Sequence, residues 1–396
     1  MKRLKNLSYR LSERIAELPD SVVGELFAKA QEAKGLISLG PGEPNFVAPK
    51  HIREAAKKAL DQGKTHYAPA SGLSELKEEI AKKLKKKNRI LLDDPQKEVV
   101  VTNGSTEALL LAYMNIVDIN EELLIPNPGF LAYRPALELI DAVPVDYELQ
   151  EGTGFQIDVD GLKKKISKKT MAILLNTPGN PTGTVLKKNV LEEIADIAVQ
   201  HDLMVLSDEA YEDFVYGKAK HISMGALNGL HEYTVTMHTF SKSYAMPGLR
   251  VGYASGPEWM IERMAEIHVY SSLSAGSISQ QAALAALKGT QKPVEMMRKS
   301  YEKRGRLILK RIAEIPELHV EVEPEGAFYV FPRITMEMNS LEFVKFLLKE
   351  AKVIAIPGTA FGTGGQGFVR MSFATEAHLI EQAMDAIEKA LHHARK

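Results

Sequence analysis

Seven short apolar or β-branched runs recur between about residues 98 and 257, separated by amphipathic stretches: KEVVVTNG, ELLIPNPG, AVPVDYEL, TMAILLNTP, LMVLSDEA, YTVTMHTF and RVGYASGP. Such alternation predicts a mainly parallel sheet covered by helices. Near-continuous apolarity in Ile173-Leu174-Leu175 and Val205-Leu206 suits strands buried on both faces. The stretch from Asn189 to His201 between them carries apolar residues at 190, 191, 194, 197 and 198, one face of a helix, so a βαβ unit is expected there. Residues 257–288 read as one long helical stretch. Beyond it the pattern changes to a helix at 293–314, strands HVEVEP and GAFYVFP, a helix at 340–351, strands VIAIP and FVRMSF and a last helix. The expected fold class is therefore α/β, with a large domain built on a mainly parallel sheet and a smaller α/β domain. Its divisions are placed at residues 1–48 (an N-terminal arm and the start of the small domain), 49–288 (large) and 289–396 (small).

A chain of 396 residues can bury two such cores. Its net charge of −1 provides no long-range positive field for nucleic acid or an anionic membrane, so small solutes are the expected partners. The absence of cysteine removes disulfides, thiolate metal sites and a cysteine nucleophile together, and fits a reducing cytoplasm. The opening MKRLKNLSYRLSERIAEL has no continuous apolar core of a signal peptide, and no stretch reaches the roughly 18 apolar residues of a membrane helix. A cytoplasmic location follows as the expectation. The basic run KKLKKK at 82–87 reads most simply as a solvated helix face.

Chemistry in open α/β sheets gathers at the carboxyl ends of strands. The run VVVT ends in Asn103-Gly104-Ser105-Thr106-Glu107 before a helical segment, which aims free backbone N–H groups at an anion, or is an ordinary Ser/Thr-capped helix start. AILL runs into NTPGNPTG at 176–183, with two asparagines, two prolines and two glycines, a tight loop rather than any regular element. Asp208 follows the apolar run LMVLS, where desolvation demands a positive partner unless the residue simply caps a helix. YTVTMHTF leads to Ser241 and Lys242, and Lys242 and Arg250 bracket a Pro-Gly turn. Alone, a lysine in such a place is an ordinary solvated charge.

Three motifs point elsewhere and fail on context. Gly362 to Gly367 satisfies G-x-G-x-x-G but leads into a strand rather than a helix. VLSDEAY resembles a magnesium motif of P-loop ATPases, yet Gly63-Lys64-Thr65 has Lys58 where the first glycine of the loop must fall. Thr239-x-x-Lys242 lacks the partners of serine–lysine hydrolases, and the histidines have no metal-ligand spacing, so no metal is expected.

Taken together the strand ends resemble the fold-type I pyridoxal-phosphate enzymes, specifically the aspartate-aminotransferase-like class I/II family. The pieces run in the family's order over nearly the whole chain: GPGEPNF at 40–46, HYAPASG at 66–72, TNGSTEAL at 102–109, NPGFLAY at 127–133, NTPGNPTG at 176–183, SDEAYEDFVY at 207–216, TFSKSYAMPGLRVGY at 239–253, GAFYVF at 326–331 and VRMSFA at 369–374.

The resemblance implies that Lys242 carries pyridoxal 5′-phosphate as a Schiff base and, once freed, moves the proton between Cα and the cofactor. It implies that Asp208 faces the pyridine nitrogen and keeps it protonated, and that Tyr211 and Asn180 donate to the ring 3′-oxygen. The phosphate would be held by the backbone of Ser105 and Thr106, the hydroxyls of Thr239 and Ser241 and the guanidinium of Arg250. Phe130 would cover the ring face. Tyr67 would reach the phosphate of a second subunit, making a homodimer part of the site. Arg370, helped by Gly42 and Asn180, would clamp the substrate carboxylate; its alternative is an internal ion pair. The implied function is an aminotransferase working between an L-amino acid and a 2-oxo acid such as 2-oxoglutarate. A neutral, aromatic or alanine-like donor is expected, because no motif marks a second substrate-binding cation. The alternative is a C–S/β-lyase on the same scaffold. A regulator retaining the fold without turnover fits less well, since every catalytic position is filled.

Overall fold

The structure, a computed structural model, describes residues 35–227 and 229–394 together with Ser12, Ile15 and Gly24. Apart from those three residues, the expected N-terminal arm lies outside the described residues as far as 34. All seven apolar runs form one sheet: β1 (Val99–Thr102), β2 (Glu122–Asn127), β3 (Val143–Glu148), β4 (Thr170–Asn176), β5 (Met204–Asp208), β6 (Thr234–Thr239) and β7 (Gly252–Ser255). Their spatial order is β1-β7-β6-β5-β4-β2-β3, and every pairing is parallel except the two made by β7.

Side chains alternate across this sheet, and the alternation assigns them to different cores. Ala172 and Leu174 point into a cluster closed by helices α1 (Ser105–Ile116) and α2 (Glu258–Ser271). Ile173 and Leu175 point the other way, against the helix Lys188–His201, whose buried residues are Val190, Leu191, Ile194, Ile197 and Ala198, the face expected from the sequence. Another cluster packs Val99, Val101 and Tyr253 under helices α3 (Ser277–Lys288) and Ser74–Lys83.

Leu39 and residues of 297–391 pack around Tyr301, Phe328, Tyr329 and Phe343 in a further core, which also takes in Ala210, Tyr211, Phe214 and Ala245. Here the strands are shorter than expected. Of HVEVEP only His319 is strand, in the pair Leu318–His319, and GAFYVFP keeps only Tyr329–Val330, because Ala327 turns the chain at φ 56°. VIAIP divides: Val353–Ile354 pairs with Ile37–Ser38, while Ile356–Pro357 pairs with Val369–Ser372. The helix at 340–351 is regular only over Ser340–Phe346 and closes in a wider turn. The expected long helix over 257–288 is two helices, broken where Leu273 adopts φ 65° in a Ser-Ser-Leu-Ser-Ala-Gly run that favours turns. Nor is KKLKKK a wholly solvated face, for Lys83 pairs with buried Glu212 and Lys87 with Glu212 and Asp213. Among the described residues no helix is long and apolar enough to cross a membrane.

Candidate active site

The sheet registers bring several strand ends to one edge. Asn176 lies opposite Asp208, Asp208 opposite Met237, Thr239 opposite Gly252 and Thr102 opposite Gly252. Because β7 runs against its neighbours, its beginning rather than its end reaches this edge, and Arg250 just before it arrives beside the turn that carries Lys242. A cleft with about 500 Å³ of atom-free space opens here, lined by Ser105, Thr106, Phe130, Asn180, Asp208, Tyr211, Thr239, Ser241, Lys242 and Arg250, with Tyr133, Asn176 and Ala210.

Lys242 stands in a one-turn helix, Phe240–Ser243, rather than on the strand end itself. Thr239 starts that turn, its Oγ1 accepting from Ser241 N at 3.1 Å and donating to Ser241 Oγ at 3.0 Å. The Lys242 ammonium donates to Gly42 O and lies 5.7 Å from the Tyr211 ring centre. Burial, reinforced by the Arg370 charge, pushes its pKa down to about 8. A lysine so placed is a base near neutrality, which a solvated one is not.

Asp208 meets two donors and no lysine or arginine among its hydrogen-bond partners: Tyr133 Oη donates to Oδ2 at 2.7 Å and Ala210 N to Oδ1 at 3.1 Å. Burial raises its pKa, and the Tyr133 bond opposes that rise. The Ala210 contact is the local turn that a capping aspartate would make, but the carboxylate also lines the cleft, where a cationic ligand group would relieve the desolvation.

The helix start at Ser105 is not capped by a serine or threonine. Its cap is Gly104 at φ 89°, with no side-chain cap bond, and Glu107 turns back to accept from Asn103 N at 2.6 Å. Burial would raise the Glu107 pKa, but hydrogen bonds from His268, Asn103 and Ser272 pull it down to about 2. Arg250 bridges the neighbouring loops, Nη1 donating to Pro247 O at 3.0 Å and Nη2 to Asn103 O at 3.3 Å. Gly104 makes this approach possible, since a Cβ there would lie 2.6 Å from Arg250 Nη2. Backbone N–H groups, two hydroxyls and a guanidinium thus surround one spot suited to a dianion.

Arg370 is buried in the strand Val369–Ser372. Its alternative role as half of an internal ion pair is absent among the described residues. Nη1 donates to Asn180 Oδ1 at 2.9 Å, Nη2 to Gly40 O at 2.5 Å, and Nε has no partner. The guanidinium lies over the rings of Tyr329 and Phe361, 4.4 and 4.8 Å from their centres. A buried cation held by neutral acceptors, with one N–H unused, is arranged for an anion that arrives from outside.

Of the expected residues Tyr67 stands apart, 80% exposed and outside the cleft lining; Gly42 and Arg370 also lie outside that lining but bond to Lys242 and Asn180 within it. Sequence reasoning misses Tyr133, Asn176, Gly40 and Tyr329 as individual participants. Each lies inside a quoted motif, but no spacing rule joins Tyr133 to an aspartate 75 residues on. The competing motifs fail in space as well. Gly362 to Gly367 forms turns that lead to the strand Val369–Ser372, and Gly63-Lys64-Thr65 opens no helix. Glu209, Glu212 and His221 do come close enough to share an ion, but Glu209 is already met by Ser207, Ser223, His221 and Met224 N.

Residues 34–387 match the sequence model of the family described as aminotransferase class I and II. The chain is 46% identical over 386 residues to an aromatic-amino-acid aminotransferase 2 from Thermococcus litoralis, covering 96% of this chain and 98% of that protein. Identity to an aspartate aminotransferase from Pyrococcus abyssi is also 46%, with the same coverage. A crystal structure of an aromatic aminotransferase from Pyrococcus horikoshii superposes with a TM-score of 0.88 at 45% identity, over 93% of this chain and 99% of that one.

Proposed function

The chain belongs to the class I and II aminotransferases, and from that premise we propose that it binds pyridoxal 5′-phosphate at Lys242 and moves the amino group of a neutral, preferably aromatic, L-amino acid to 2-oxoglutarate. One observation carries this reading: a buried lysine with its pKa pushed down to about 8 shares a cleft with Asp208 and with the dianion cradle at Gly104–Thr106 and Arg250. The residues fit the cofactor in charge and kind. Ser105, Thr106, Thr239, Ser241 and Arg250 would hold its phosphate, Asn180 and Tyr211 its ring oxygen, Asp208 its ring nitrogen, and Phe130 would cover its face. Bound there, the cofactor supplies an electron-poor ring able to take up the electron pair left when a proton leaves Cα.

The chain's own residues do the rest. With the cofactor bound and its link to Lys242 taken over by the substrate amine, Lys242 Nζ would take that proton from Cα and return it to the substrate–cofactor adduct, ending as the neutral amine it began as. Its depressed pKa leaves the amine with the lone pair that this task requires. Arg370 holds the substrate carboxylate through N–H groups now spent on Gly40 and Asn180 and through its free Nε, which fixes Cα against Lys242. Asp208 stays ionised with the help of Tyr133. Among the described residues the cations at hand are Lys242, Arg250 and Arg370, each with a task, while Phe130 offers apolar surface to a side chain. That favours neutral donors over dicarboxylates.

We further read residues 49–288 as the cofactor-holding domain and residues 1–48 with 289–396 as the smaller one, in a cytoplasmic homodimer in which exposed Tyr67 completes the neighbouring subunit's phosphate site. The deciding experiment is a panel of amino donors with 2-oxoglutarate, scored by glutamate formed. Aromatic donors should lead, with alanine behind them and aspartate weak. Elimination from β-chloroalanine without glutamate from any donor would overturn the reading in favour of a lyase.

A further inference from the structure

We propose that Tyr329 is a positioning residue that aims the Tyr211 proton into the cleft and couples that hydroxyl to the Arg370 carboxylate clamp. This deepens the proposed function and rests on its assignment of Tyr211 to the cofactor's ring oxygen. Four observations converge on Tyr329. Its hydroxyl lies 2.6 Å from the Tyr211 hydroxyl. Its ring is fully buried and carries the Arg370 guanidinium on one face, 4.4 Å from the centre. Its strand pairs Tyr329 with Ser372, so the residue is fixed to the same strand that bears Arg370. Its hydroxyl abuts Gly42, where a Cβ would collide with it, and Gly42 O in turn accepts from Lys242.

Tyr211 faces the cleft and Tyr329 does not. Each hydroxyl owns one proton, and only one proton can lie between the two oxygens. If Tyr211 donates to Tyr329, an anionic oxygen in the cleft receives nothing from it; if Tyr329 donates, the Tyr211 proton is free to point inward. Arg370 selects the second arrangement. Its guanidinium lies against the Tyr329 ring, where the positive charge polarises the phenol O–H and makes Tyr329 the better donor; the charge acts on Tyr211 too, but there Asp208 opposes it, and burial keeps both tyrosines protonated. The resulting chain, Tyr329 to Tyr211 to ligand oxygen, strengthens along its length. A carboxylate arriving at Arg370 cancels part of the charge and weakens the chain, so occupancy of the clamp is felt at the ring oxygen.

The test compares Tyr329→Phe, Tyr211→Phe and the double variant as purified full-length protein. Apoenzyme affinity is measured for pyridoxal 5′-phosphate and for its analogue lacking the 3-hydroxyl, and the pH titration of bound-cofactor absorbance is recorded. Tyr329→Phe should weaken the cofactor about threefold, leave the deoxy analogue unchanged and move the titration up by roughly half a pH unit, with no further effect in a Tyr211→Phe background. Equal weakening of cofactor and analogue, or additive effects in the double variant, would reduce Tyr329 to a packing residue and overturn the inference alone. No response to Tyr211→Phe would remove the underlying assignment instead. Should Tyr329→Phe not fold, the wild type still decides: 3-phenylpropionate must shift the absorbance titration, and the shift must shrink at least twofold in Tyr211→Phe, or the coupling is wrong.

Discussion

Tyr133 and Asp208 form the shortest side-chain hydrogen bond that reaches the Asp208 carboxylate, 2.7 Å from hydroxyl to Oδ2. Burial has already raised the Asp208 pKa, so this donor is what limits the rise. Removing it by Tyr133→Phe should raise the pKa further and cost about 1–3 kcal/mol at neutral pH, where the carboxylate is ionised and short of one bond. A carboxylate whose folded pKa is raised holds its proton more tightly in the folded state, so stability falls as pH rises from the unfolded pKa to the folded one. The deficit of the variant should therefore narrow on acidification through that window, and urea melts at several pH values will show whether it does.

Lys242 titrates in the opposite sense. Its folded pKa of about 8 lies below the ordinary 10.5, so between these values the unfolded chain binds the extra proton and apoenzyme stability should rise with pH. In Lys242→Ala that slope should vanish, and turnover should fall by at least about a thousandfold. Borohydride reduction of wild-type enzyme loaded with cofactor, followed by peptide mass spectrometry, should place the label on Lys242; a label elsewhere contradicts the assignment.

Arg370→Lys keeps a positive charge but loses the planar fork that reaches Gly40 and Asn180 together. Steady-state kinetics should show kcat/KM reduced roughly a hundredfold for the amino donor and for the 2-oxo acid alike. Amines without a carboxylate should lose little. A uniform loss for both kinds of substrate would mean that Arg370 supports the fold and not the clamp.

Gly104 tests the dianion cradle from the backbone. With φ at 89° and Arg250 Nη2 where a Cβ would press, Gly104→Ala must displace the guanidinium. Affinity for pyridoxal 5′-phosphate should drop by about tenfold, the scale of one charged hydrogen bond, while pyridoxal without phosphate binds as before. Equilibrium dialysis of the apoenzyme distinguishes the two.

The central sheet was legible because each of its strands carries its own apolar run, and Val190 to Ala198 show the buried face of the crossover helix directly. The C-terminal part was less so. Val353 to Pro357 reads as one strand, yet the chain turns within it to serve two different partners, a decision made by Ile37–Ser38 and Val369–Ser372 rather than by the segment. Leu273 and Ala327 take left-handed backbone that neither residue advertises. The site divided along similar lines. Asp208 stands where a strand stops, and Lys242 and Arg250 lie in the short segment between two apolar runs, so all three could be placed near one sheet edge, whereas Tyr133 and Tyr329 matter only through a hydroxyl that touches another residue. Lys83 looked like part of a wet basic face because its partner, Glu212, is 129 residues away in the chain.

The reversed direction of β7 has one more effect. Residues 240–251 leave the sheet at Thr239 and return to it opposite that residue at Gly252, and both Lys242 and Arg250 sit on this excursion. The sheet therefore fixes the ends of a ruler whose graduations are Lys242 and Arg250. Lengthening or shortening it between 243 and 249 would change the span from attachment point to anion while leaving every strand pairing intact, so a related chain could adapt to a ligand of different length by altering this segment alone.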